Sequence, residues 1–263
     1  MKMKKLVALA LASTMVFSMA ACSDKKDSKT SANNVANSAA ADVSVETVVD
    51  AFDKFVKDQD SDFSYDSTMV MKMEGEGQTV SMEMTGTSVS YDGVTYTKTT
   101  TKSNMLGESE EMVEESYDIT KEDGSMISAT KTSEDEEWDV EEYEAGDEES
   151  EEMGNLDVEE LKKSAKIETK GDNAIVTMEI SADQIGMEED ALMGDMEGFS
   201  VKAVVTYSAK DSAITNVEFV FDLDALNEMF GALGVTVSEC TMKMDNIKKT
   251  DKAIEIPAEI ELD

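Results

Sequence analysis

The sequence predicts an α+β protein: one amphipathic helix, then a long antiparallel meander with one apolar face, with short helices set between its later strands. Three observations predict it. Apolar residues recur at spacings of three and four over 44–58, and from Phe63 onward at every second position. Asp-Gly pairs at 92–93 and 123–124, and Gly75-Glu76-Gly77, separate alternating runs, and connections this short join only antiparallel neighbours. Capping patterns at Asp157 with Glu160 and at Ser181 with Gln184 place short helices among the later strands.

Before the first helix lies a leader. Lys2, Lys4 and Lys5 form a basic tip, 6–17 is an apolar run, and Met19-Ala20-Ala21-Cys22 reads as a lipobox. Cleavage before Cys22 would leave a thiol for lipid attachment. An ordinary cleaved signal peptide also fits Ser18-Met19-Ala20, whereas a membrane span would need about 18 or more apolar residues. Residues 23–41 are small and polar and read as a tether. The expected organisation is a signal peptide at 1–21, a lipidated cysteine with its tether at 22–41, and one α+β domain at 42–263.

Val45, Val48, Val49, Phe52, Phe55 and Val56 form the stripe of the first helix, with Asp42 or Ser44 as N-cap. Met69, Met71 and Met73 then share one strand face, and Val80, Met82 and Met84 share it on the return. Strands follow at 94–102, 112–120 and 126–132. Residues 134–152 carry 13 acids in 19 positions and read as a solvated loop, within which 138–141 fits a short strand.

After that run, Leu156 and Leu161 flank a capping box, and Ala174, Val176, Met178 and Ile180 alternate as a strand. A third helix is expected at 185–193. Residues 201–208 and 214–222 pair, with Val217, Phe219 and Phe221 on one face. Asp224 is expected to cap a helix that Gly234 ends. Val235 and Val237 are out of parity with Cys240, Met242 and Met244, which predicts a bulge at Ser238-Glu239. Ile254, Ile256, Ile260 and Leu262 alternate as a last strand, and Pro257, which lacks an N–H, puts it at an edge.

Composition narrows function. There are 23 basic residues, all lysine, against 59 acids; losing 1–21 would remove three lysines and leave a charge of −39. Such a field opposes nucleic acid and anionic surfaces, so no nucleic-acid partner is expected. Without Arg no guanidinium fork exists, and without His neither Ser-His-Asp catalysis nor His-containing zinc sites. Ser128-x-x-Lys131 matches a catalytic spacing, but on a strand these residues face opposite sides. Cys240 reads as a buried inert thiol. Neither an enzyme, a metal site nor a cofactor is expected.

The helix-then-meander order resembles the LolA, LolB and LppX group of bacterial lipoprotein and lipid carriers. The tether after Cys22 and the ending Ile254-Glu255-Ile256-Pro257 are similar to Gram-positive surface lipoproteins. The resemblance implies a half-barrel with helices on its concave face, anchored to the outer face of the cell membrane. It also implies a cavity for a lipid or acyl chain. Met69, Met71, Met73, Met82, Met84, Phe219, Phe221, Met242 and Met244 are the candidate lining, since thioethers suit adaptable apolar surfaces. Two other readings stay open: these residues fill an irregular core, or the chain is an envelope scaffold with no small ligand.

Overall fold

Ser44 opens the first helix, its Oγ accepting from Thr47 N at 3.2 Å. The computed structural model describes residues 42–57, 62–75, 78–105, 108–121, 123–143, 156–181, 200–231 and 234–260. Helix α1 (Val45–Lys57) is followed by β1 (Phe63–Gly75), β2 (Gln78–Tyr91), β3 (Val94–Met105), β4 (Glu108–Thr120), β5 (Met126–Thr132) and β6 (Asp139–Tyr143). Then come α2 (Val158–Ser164), β7 (Lys166–Lys170), β8 (Asn173–Ser181), β9 (Ser200–Ser208), β10 (Ala213–Phe221), α3 (Leu223–Gly231) and β11 (Val235–Lys249). The leader with Cys22, the helix expected at 185–193 and residues 144–152 of the acidic run lie outside the described residues.

All eleven strands form one curved, open antiparallel sheet in the order β6-β5-β4-β3-β2-β1-β11-β10-β9-β8-β7. The first and last strands pair at its centre, from Phe63↔Lys249 to Gly75↔Val235. Two meanders therefore run outward from β1 and β11, and β6 and β7 are the edges. Turn chemistry sets the hairpins: Asp92 and Gly93 have φ of 52° and 77°, the pair of left-handed residues that a two-residue hairpin turn requires.

Register alternation gives the sheet two unlike faces. On one, Val48, Val49 and Phe52 of α1 and Leu161 of α2 bury themselves against Val176, Met178, Val205 and Val217 of β8–β10. Leu226 and Phe230 of α3 join Val235, Val237 and Cys240 on the same side. Lys162 ties α2 to Asp50 of α1 at 2.9 Å. The opposite face carries the sheet's ion pairs, among them Lys98 with Glu115 at 2.7 Å and Lys243 with Glu218 at 3.1 Å.

The bulge falls where parity predicts it: Lys72 pairs with Glu239 and Met73 with Val237, so Ser238 is the extra residue. Two expectations are corrected. The cap of α3 is Asp222, whose Oδ1 accepts from Asp224 N at 2.9 Å and Ala225 N at 3.3 Å; Asp224 lies inside the helix. Residues 251–257 join no ladder. Ile254, Ile256 and Ile260 instead strap across the opposite face onto Tyr117, Ile119 and Ile127, so their alternation serves packing rather than pairing. Pro257 has no N–H to donate, and its carbonyl accepts from Ile260 N at 3.1 Å in a turn. Strand β7 went unforeseen because all five of its residues are exposed and show no apolar alternation.

Candidate functional site

Four neighbouring strands bring the nine candidate residues onto the helix-bearing face. Met69 stands opposite Met242 on β11 and Met84 on β2; Met71 opposite Cys240 and Met82; Met73 opposite Val237 and Val80. On β10, Phe219 faces Met242 and Val217 faces Met244. Within this face the residues divide. Met73, Phe219 and Phe221 pack with Leu226 and Phe230 beneath α3, and Met244 packs on the α1 cluster. Met69, Met82 and Met84 form a separate buried cluster with Met71 against it.

That second cluster borders a different lining. Across the β2–β3 ladder Met84 faces Thr101, Gly86 faces Thr99, Ser88 faces Thr97 and Ser90 faces Thr95. Ser88 and Thr97 hydroxyls lie 3.2 Å apart and those of Ser90 and Thr95 3.0 Å, while Ser88 and Ser90 are 5% and 3% exposed. The row continues on β4 and β5, where Ser128 Oγ donates to Asp118 Oδ1 at 2.8 Å. Burial pushes the Asp118 carboxyl above its ordinary value, opposed by the Ser128 hydrogen bond. Sequence reasoning missed this row; its signal was the alternating Thr95, Thr97, Thr99 and Thr101.

Where the two linings meet, Tyr65, Ser67, Met69, Met84, Ser88, Thr97 and Thr99 bound a cleft of about 10 Å³, room for one water molecule. Gly86 sits between the lining residues Met84 and Ser88 on β2, where a Cβ would lie 2.8 Å from Ser67 Oγ and 3.1 Å from Lys98 O. Burial pushes the Tyr65 phenol up, with a hydrogen bond to Ser88 acting against it.

The other chemistry-bearing residues are placed apart. Cys240 is 4% exposed, and burial pushes its thiol up to about 12, so no nucleophilic thiolate forms at neutral pH. Ser128 faces Asp118, whereas Lys131 lies on the opposite face, 6.0 Å from the Trp138 ring centroid and donating to Glu136 O at 2.7 Å. Within the acidic run, 139–143 is the edge strand β6, paired Ser128↔Glu141 and Ala129↔Val140. Among the described residues no group of three or more Asp, Glu or Cys is placed to hold a metal ion.

No family model matches the chain, and no curated protein matches it. Among solved structures it is similar to a β-barrel-like protein of domain of unknown function DUF1849 from Brucella abortus. That match has 10% identity and a TM-score of 0.30, covering 73% of this chain and 98% of that one. It is also similar to a DUF1329 family protein from Desulfovibrio piger, at 11% identity and a TM-score of 0.28, covering 80% and 93%.

Proposed function

We propose that this chain is a non-catalytic extracytoplasmic lipoprotein, held at the outer face of the cell membrane through Cys22. Its helix-bearing face binds the apolar part of a lipid or another acyl-chain ligand. On this reading that face is the concave wall of a LolA-like half-barrel. The supporting observation is the register of Met69, Met71, Met82, Met84 and Met242, five thioethers on adjacent strands beside a hydroxyl row. Flexible methionines re-pack around a guest at low cost, and an apolar surface with a few convergent polar groups is the usual make-up of a small-molecule site.

The cleft has room for only one water molecule, so a chain enters by displacing methionine side chains or the helices above them. The filled clusters favour a second reading, an envelope scaffold with no small ligand. Nile red added to the purified protein separates the two. The binding reading predicts a blue-shifted signal lost on adding a chain-bearing lipid. Emission unchanged from free dye supports the scaffold. The anchor is tested by Cys22→Ser: release from membranes is expected, and retention there overturns it.

A further inference from the structure

We propose that the ligand is an amphiphile with an uncharged, hydroxyl-bearing head, of the monoacylglycerol or glycolipid class, its acyl chain on the methionines and its head on β3–β5. This rests on the acyl-chain reading above and adds the chemistry of the head.

The inference comes from what each face carries. Among the described residues of β1–β6, every lysine is on the face opposite the helices. Lys72 pairs with Glu239, Lys98 with Glu115 and Lys102 with Glu111, and Lys131 lies by Trp138. The helix-bearing face of these strands holds no cation, but register places Glu108, Glu110, Glu114, Asp118, Asp139 and Glu141 there. A carboxylate or phosphate head laid on this surface would lose its water, find no positive partner and meet six acids.

A hydroxyl-bearing head meets the opposite situation. Serine and threonine hydroxyls each donate once and accept twice, so the paired Ser88–Thr97 and Ser90–Thr95 hydroxyls keep acceptor capacity. Carboxylates accept from sugar or glycerol hydroxyls without needing a counter-charge. The hydroxyl row also borders the methionines of β1 and β2, at Met84↔Thr101 and Gly86↔Thr99, so chain and head occupy one continuous track; Met112 and Met126 lie further along the same face. A cationic head would satisfy the acids and leave this row unmatched. Asp118 itself is bonded to a hydroxyl, that of Ser128.

The test displaces Nile red from the purified full chain with amphiphiles of one chain length, all below their micelle concentrations. They are monodecanoylglycerol, decyl glucoside, decanoate, decyl phosphate and decyltrimethylammonium. The two uncharged compounds are expected to displace dye at concentrations about tenfold or more below the anions and the cation. Thr99→Lys, which puts an ammonium at the start of the row, is expected to bring decanoate level with decyl glucoside; Ser116→Lys on β4 serves if the first variant does not fold. Anions or the cation competing as well as the uncharged compounds overturn the head assignment and leave acyl-chain binding standing. Dye that binds yet is displaced by no amphiphile overturns both.

Discussion

Ser67 and Gly86 face each other across β1 and β2 so closely that a Cβ on Gly86 would come within 2.8 Å of Ser67 Oγ. The contact shapes the junction between methionines and hydroxyls. Lys98 O at 3.1 Å is backbone and cannot swing aside, so Gly86→Ala must push β2 and β3 apart or tilt them. The expected cost is about 1–3 kcal/mol in urea unfolding. Gly86→Ala combined with Ser67→Ala should recover only part of it, because the carbonyl contact persists.

A second dependence lies where β10 ends and β11 continues. Asn227 of α3 takes the place of a strand there: its Oδ1 accepts from Val237 N at 2.6 Å and its Nδ2 donates to Val237 O at 3.1 Å. Asn227→Ala leaves two backbone groups beside the bulge at Ser238 without these partners. A loss of about 1–3 kcal/mol is expected by denaturant titration. Faster amide exchange at Val237 should accompany it.

Asp118 predicts a pH signature. Its folded pKa lies above the ordinary 3.8 because burial disfavours the carboxylate, so the folded state binds that proton more tightly than the unfolded chain. Its contribution to stability therefore falls as pH rises from about 3.8 through the folded value, and stays low above it. Asp118→Asn keeps an acceptor for Ser128 without the charge. The variant should melt higher than the parent at neutral pH, with the gap closing as pH falls toward 4. Asp123 and Asp135, held below their ordinary values by Ser125 and Thr132, are present in both proteins and cancel in the difference.

The C-terminal strap is expected to be structural. Ile260 is 3% exposed against Tyr117 and Ile127, on the face away from the methionines. Ile260→Ala should cost about 2–5 kcal/mol in thermal or urea unfolding. Nile red displacement should be unchanged in the fraction that remains folded.

Several of these features were legible in the chain because their causes are local. The helix at Val45–Lys57 follows from its apolar spacing, the turn at Asp92-Gly93 from backbone preference, and the bulge at Ser238 from a break in parity. The N-cap of α2 forms as its residues predict, Asp157 Oδ1 accepting from Glu160 N at 3.0 Å. Pairing of β1 with β11 was not legible, because no local signal links residues separated by most of the chain. The hydroxyl row escaped notice for a related reason. Residues 94–102 read as a strand with no face assigned, and only register with β2 shows that Thr95 to Thr101 continue the methionine face. For Ile254 and Ile256 the pattern was right and the partner wrong, since alternation marks a buried side without saying whether a strand or a sheet face buries it.

The central claim is that the helix-bearing face holds an acyl chain, and native mass spectrometry of the protein purified gently from its own membranes tests it most directly. The account predicts a population carrying one non-covalent lipid adduct beyond any modification of Cys22. That adduct should diminish in Met71→Asp, where a charge enters the half-buried edge of the methionine cluster. A parent protein that flies with no lipid adduct, and gains none when incubated with chain-bearing lipid, would contradict it.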